Sequence, residues 1–262
     1  MEDKAQPLGA FRDSLVDCTR CGLSNGRTQV VFGVGDPHAR LLFVGEGPGF
    51  HEDKQGEPFV GAAGKLLTEL LGKIGLSRAD VYIANVVKCR PPENRDPLPD
   101  EIEACSPHLL EQIRIIRPKV ICTLGRFATR LLAETESSMT AIHGKAKERT
   151  IGGVDVVIFP VFHPAAALYN PANRQVLEQD FAKLRYLLAH GLAPRDDAAL
   201  EAFEAVVAAA PAPQPVEAGR PDTAPSFADA GGTAAQPVAP GPATARPRPQ
   251  EPTERQEQLP LW

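Results

Sequence analysis

The chain has 262 residues, with 28 Lys and Arg against 33 Asp and Glu, and a formal net charge of −5. No apolar run approaches the roughly 20 residues of a membrane helix, which excludes a helical spanning protein, and the opening MEDKAQPLGAF lacks the apolar core of a secretory signal, so a cytoplasmic location is expected. An acidic balance also argues against a phosphate-rich partner, but residues 1–191 carry 23 acids and 23 bases, and residues 192–262 hold the whole surplus.

Residues 1–191 read as strands alternating with helices. RLLFVG (40–45), VYIANVV (81–87), KVICTLG (119–125) and VDVVIFPVF (154–162) are short, β-branched and almost wholly apolar. Continuous apolar strands of this kind belong in a parallel sheet covered on both faces. Helices are predicted over 62–74, 100–116, 126–133 and 174–190. In the first, Leu66, Leu67, Leu70, Leu71 and Ile74 form an apolar stripe at helical spacing. The alternation predicts a three-layer α/β/α fold around a central four-stranded parallel sheet. Beyond residue 191 the character changes. Residues 192–210 could add one more helix, and residues 211–257 read as a disordered Pro/Ala-rich linker, since the last 52 residues hold 12 of the 26 prolines.

An odd number of cysteines, five, without a signal segment points to reduced thiols or metal ligands rather than disulfides. Cys122 lies inside the VICTL strand and reads as a small core hydrophobe. Cys18 and Cys21 form a C-x2-C pair, and Cys89 and Cys105 follow far downstream. Four thiolates from two separated places suit a tetrahedral zinc or a 4Fe–4S cluster, and spacing does not choose between them.

The first strand runs into Glu46-Gly47-Pro48-Gly49, and GEPFVG (56–61) follows before the next helix. Glycines directly after a strand let a ligand approach the backbone at the carboxyl edge of a sheet. The pattern is neither a Walker loop nor a dinucleotide fingerprint. The second strand contains Asn85, and the fourth leads into His163-Pro164-Ala165, so an acid, an aromatic, an amide and an imidazole converge at strand ends.

Together these segments resemble the family 4 uracil-DNA glycosylases, iron–sulfur enzymes of bacteria and archaea. The resemblance runs from about Cys18 to His190 and rests on VVFGVGDP, VGEGPG, PFVGAAG, YIANVVKCRPPENRDPLPDE, TLGRF and FHPAAALYNPANR. It implies a uracil-DNA glycosylase-like fold, a 4Fe–4S cluster on Cys18, Cys21, Cys89 and Cys105, and hydrolytic excision of uracil from DNA to leave an abasic site. That is the first step of base excision repair of deaminated cytosine. The other reading of the same chain is a non-catalytic, metal-stabilised module that binds damaged DNA.

Under the resemblance each residue takes a role that its chemistry can fill. The base must leave the stack to be read. Asn85 offers one donor and one acceptor to uracil O4 and N3–H, a pattern that cytosine reverses. Phe59 stacks on the flipped base. His163 donates to uracil O2 as negative charge builds on the departing ring. Gly45, Glu46 and Gly47 line the pocket. The related family 1 enzymes carry Asp where Gly47 stands, so water positioning falls to Glu46 or Glu52, the other shaping the pocket; the sequence leaves that choice open.

Grip on DNA is expected from Lys145, Lys147 and Arg149, near His143, with Leu168 and Tyr169 as a wedge in the gap left by the flipped base. The chain closes on Gln258, Leu259, Leu261 and Trp262, which resemble the bacterial sliding-clamp binding peptide carried on a tether. A monomer is expected.

Overall fold

A computed structural model describes residues 3–168 and 170–192, all within one compact unit. In chain order the elements are α1 (Ala5–Ser14), β1 (Val34–Gly35), β2 (Leu41–Gly45), α2 (Phe50–Gln55), α3 (Ala62–Lys73), β3 (Tyr82–Asn85), α4 (Pro99–Ile116), β4 (Val120–Leu124), α5 (Arg126–Ala133), α6 (Met139–Ile142), β5 (Lys147–Ile151), β6 (Val154–Val161), α7 (Pro164–Leu168) and α8 (Pro171–His190). Among the described residues no helix is long and apolar enough to cross a membrane. The calls on residues 193–262, including the extra helix, the linker and the terminal peptide, lie outside the described residues.

One six-stranded sheet has the order β1-β3-β2-β4-β6-β5. Its centre is the expected four-stranded parallel sheet, β3-β2-β4-β6. Two antiparallel edge strands extend it, β1 on β3 and β5 on β6. Neither edge strand was visible as a strand in the sequence. β1 is only two residues long, and β5 reads KERTI, whose polar side chains suit an edge that keeps one face in water.

Every residue of β2, β3 and β4 is buried, as two-sided coverage requires. The period of two divides them between two cores. Leu42, Val44, Tyr82, Ala84 and Ile121 face a core completed by Leu8 of α1, Leu109 and Ile113 of α4, and Ala128 and Leu132 of α5. Leu41, Phe43, Ile83 and Cys122 face the other, closed by Leu66, Leu67, Leu70 and Leu71 of α3 and by Leu177, Phe181 and Leu184 of α8. The Phe43 and Phe181 rings stack at 5.9 Å and pin α8 to the sheet. Each such fully buried side chain contributes about 1.5–3 kcal/mol, so truncating one costs the fold more than any surface pair does.

Helix ends follow local chemistry. α8 begins where Asn170 Oδ1 accepts from the Ala172 N–H and Pro171 takes the first helical position, where no N–H is needed. α4 stops at Arg117, in the left-handed region at φ 49°, immediately before Pro118.

Candidate active site

The carboxyl edge of the parallel sheet carries a cavity of about 350 Å³. Glu46, Gly47, Pro48 and Gly49 follow β2 into its wall, Asn85 closes β3, His163 follows β6, and Glu52 and Phe59 come from the segment between β2 and α3. The register explains the meeting: Gly45 pairs with Asn85 across β2 and β3. A Cβ at Gly45 would lie 2.5 Å from Asn85 Oδ1 and 2.6 Å from Phe59 Cζ, so only glycine lets the amide and the ring share that corner. At Gly47 a Cβ would lie 2.7 Å from Val87 Cγ2, so a side chain there would have to displace that valine.

Asn85 is 1% exposed, and its Oδ1 is the one buried side-chain polar atom without a partner among the described residues. A buried acceptor left unpaired costs about 1–3 kcal/mol. Such a cost is tolerated where a ligand supplies the missing donor.

Phe59 sits in the left-handed region at φ 57°, a conformation unfavourable for a bulky residue. Three contacts hold it. Arg78 donates from Nη2 to Pro58 O at 2.7 Å and from Nη1 to Phe59 O at 3.1 Å. Glu52 Oε1 accepts from Val60 N and Gly61 N, both at 2.9 Å. Gly64 of α3 packs so closely that a Cβ there would fall 1.8 Å from Phe59 O. The ring so fixed lies 5.5 Å from the His163 ring.

His163 Nδ1 accepts from the Ala165 N–H at 3.2 Å, which assigns the ring proton to Nε2. Burial holds its pKa down to about 4, so the imidazole is neutral near pH 7. Glu46 goes the other way: burial, reinforced by Asp96 and opposed by Arg126, raises it to about 7. The two glutamates, equivalent in sequence terms, thus stand in different surroundings. Glu52 binds loop amides; Glu46 is a partly desolvated carboxyl on the cavity wall.

Cys18, Cys21, Cys89 and Cys105 line one common cavity with Arg27, Lys88 and His108. N–H donors already point at the sulfurs. Arg27 Nη1 donates to Cys89 Sγ at 3.5 Å and the Lys88 backbone N–H to Cys105 Sγ at 3.3 Å, while His108 Nε2 lies 3.6 Å from Cys18 Sγ. Burial raises the Cys105 thiol to about 11. Among the described residues no three His, Cys, Asp or Glu side chains converge tightly enough for a single metal ion. Cys122 is wholly buried in β4, as a core hydrophobe.

A sequence profile of the Uracil DNA glycosylase superfamily matches residues 32–185. The chain is 51% identical over 185 residues to the Type-4 uracil-DNA glycosylase of Sulfurisphaera tokodaii, covering 69% of this chain and 84% of that protein. It is 49% identical over 174 residues to the Type-4 uracil-DNA glycosylase of Archaeoglobus fulgidus, covering 65% and 87%. With that of Thermotoga maritima it shares 48% over 171 residues, covering 64% and 88%. The chain belongs to the type-4 uracil-DNA glycosylases.

Set in that family, the residues named from sequence divide into two groups. Gly45, Glu46, Gly47, Glu52, Phe59, Asn85 and His163 gather at one corner, and the four cysteines at one cavity. The basic stretch does not gather at this cavity. Lys145 Nζ donates to Ala141 O, and Arg149 pairs with Glu134. Arg149 stands opposite Val156, and the neighbouring Val157 pairs with Val120 at the start of β4, so Arg149 sits towards the edge of the sheet opposite the pocket. His143 Nδ1 is 2.7 Å from the buried Asp180 carboxylate. Leu168 is exposed at the end of α7, and Tyr169 lies outside the described residues.

Sequence reasoning missed Arg78, Asn94, Arg95 and Lys88. Asn94 and Arg95 line the cavity. Lys88 is buried, and its Nζ donates to Asn85 O at 2.9 Å and to Gln112 Oε1, while Gln112 Nε2 donates to Phe32 O. Burial lowers this ammonium to about 8. Arg78 reaches carbonyls 19 and 20 residues away and Lys88 reaches Gln112, 24 residues away, contacts that only the fold brings together.

Proposed function

We propose that the chain is a monofunctional uracil-DNA glycosylase that binds a flipped uracil in the 350 Å³ cavity and hydrolyses its N-glycosidic bond. The observation that carries the reading is the unpartnered Asn85 Oδ1 beside Phe59 and His163. Oδ1 accepts from uracil N3–H and the amide nitrogen donates to O4. Cytosine would set its unprotonated N3 against Oδ1 and its amino group against the amide donor, so it is rejected by leaving buried polar groups unpaired. Phe59 stacks on the ring, a contact worth about 1–3 kcal/mol.

As the bond to C1′ stretches, negative charge grows on uracil O2. His163 meets it with a hydrogen bond from Nε2–H of a neutral ring, prearranged by the Ala165 amide. The sugar develops oxocarbenium character, which the Glu46 carboxylate faces; the water it positions bonds to C1′ and gives its proton to that carboxylate as uracil departs as the anion. Glu52 shapes the pocket by binding the Val60 and Gly61 amides. The deciding assay incubates the protein with a uracil-containing oligonucleotide and then cleaves abasic sites with alkali. Strand breaks well above a His163→Ala control are expected, and parity with that control overturns the enzymatic reading.

We further infer that Cys18, Cys21, Cys89 and Cys105 hold a 4Fe–4S cluster. Four thiols around one cavity with N–H donors at the sulfurs fit a thiolate-held group, and the likeness to the type-4 family favours iron–sulfur over one zinc. The cluster when bound acts as a cross-link joining the segment before β1 to the β3–α4 loop and α4. Absorbance near 400 nm and iron without stoichiometric zinc are expected; a colourless zinc protein would refute it. On sequence alone, the proposal also includes a monomeric, cytoplasmic enzyme at the nucleoid, with Leu168 and Tyr169 as the wedge. Lys145, Lys147 and Arg149 are proposed as DNA contacts, and Gln258, Leu259, Leu261 and Trp262 as a sliding-clamp peptide. Deleting 259–262 should abolish clamp binding and spare excision on short oligonucleotides.

A further inference from the structure

The mouth of the cavity borders a surface with a composition of its own. Phe50 opens α2 directly after the cavity-lining Gly49, and it is 49% exposed. The Arg90 guanidinium lies over its ring at 5.2 Å, and Lys54 Nζ lies 6.0 Å from the same centroid. Arg90 Nε donates to Oδ1 of Asn94 at 2.7 Å, and Asn94 lines the cavity. Arg90 therefore spans from the cavity wall to the exposed ring.

Among the described residues Arg95, Arg126 and Arg149 are all taken up by carboxylates, whereas neither Arg90 nor Lys54 has one within pairing distance. Two unpaired cations against an exposed aromatic ring are the ingredients of a single-strand contact. Bases stack on rings and guanidinium planes, and cations meet phosphates. A base that enters the cavity has left its stack, so its neighbour on the strand has lost a stacking partner. The strand must also cross this rim to deliver the base.

We propose that Phe50, Arg90 and Lys54 form a platform for the DNA strand beside the flipped nucleotide, a neighbouring base stacking on Phe50 and phosphates meeting Arg90 and Lys54. The proposal rests on reading the cavity as a uracil pocket and extends it outward.

The test measures equilibrium binding to an oligonucleotide carrying a tetrahydrofuran abasic analogue, which cannot be cleaved and leaves the base cavity empty, across a salt series. Phe50→Ala is expected to weaken binding roughly tenfold, and Phe50→Trp to retain it. Arg90→Gln and Lys54→Gln should each reduce the slope of log affinity against log salt by about one. Wild-type affinity in Phe50→Ala, or wild-type slopes in both charge variants, overturns the platform; the charge variants decide the matter if Phe50→Ala does not fold. Uracil release by the wild type is followed in parallel. A wild type whose binding depends on the platform but which releases no uracil overturns the catalytic reading and leaves the platform standing.

Discussion

Arg78 holds Phe59 in the left-handed backbone conformation, donating from its two terminal nitrogens to the carbonyls of Pro58 and Phe59 at 2.7 and 3.1 Å. Arg78 does not line the cavity, so in the proposed mechanism it acts on uracil only through the ring it positions. Arg78→Met should raise KM and weaken inhibition by free uracil roughly tenfold, the worth of one stacking contact, with a smaller effect on kcat. Arg78→Lys should recover part of the loss. Steady-state kinetics with a uracil inhibition series reads both, and an unchanged inhibition constant would show that the clamp does not set the ring.

In the mechanism proposed above, Glu46 gives the reaction a pH dependence. Its carboxyl is raised to about 7, so the ionised form needed at the sugar builds up as pH rises through that value. The pH profile of kcat/KM should climb to a plateau above about 7, and Glu46→Gln should flatten it at a rate roughly 10²–10⁴ lower. Stability runs in the opposite sense. The folded state favours the protonated carboxyl, so this contribution is full below the ordinary value of 4.5 and is lost as pH rises through about 7. Thermal melts should therefore show Glu46→Gln gaining on the wild type at pH 8 but not at pH 4. An equal difference at both pH values would contradict the assignment.

His163 is expected to remain neutral across the working range, its pKa held near 4 by burial. Nitrogen NMR of the labelled ring should show the Nε2–H tautomer from pH 5 upward, and a titration midpoint between 6 and 7 would count against it. His163→Ala should lower single-turnover excision roughly 10²–10³-fold, leaving affinity for the abasic analogue unchanged.

Gly45 tests the geometry of the pocket itself. Gly45→Ala introduces a methyl group 2.5 Å from Asn85 Oδ1 and 2.6 Å from Phe59 Cζ. Loss of uracil excision is expected with the circular dichroism spectrum of the wild type. Retained activity would mean that the amide and the ring do not share the corner in solution.

The readable parts of this chain share a physical character. The four central strands announced themselves by short, largely apolar runs, since β2, β3 and β4 are buried on both faces and β6 is exposed only at Asp155. α3 did so through its leucine stripe. The glycine loops after β2 marked a close approach at the sheet edge, and the cysteines stood out because reduced thiols in widely separated pairs have few other uses. Short-range chemistry carries each of these signals. The edge strands β1 and β5 left no such mark, being brief or polar, and α2 and α7 are too short to show a periodicity.

What required the fold was every distinction that depends on partners distant in sequence. Glu46 and Glu52 are chemically the same residue. They differ because the loop after α2 turns its amides onto Glu52 and leaves Glu46 to desolvation and to Asp96. Lys145 and Arg149 form a basic stretch in the sequence, but a strand spreads its residues along about 3.3 Å per position, and β5 carries Arg149 away from the pocket. Arg78 and Phe50 became meaningful only once the sheet set them against the Phe59 carbonyl and the cavity rim. Local propensity writes the elements and supplies the reactive groups. Which group binds, which one holds another, and which faces solvent follows from burial and from hydrogen bonds that only the assembled sheet creates.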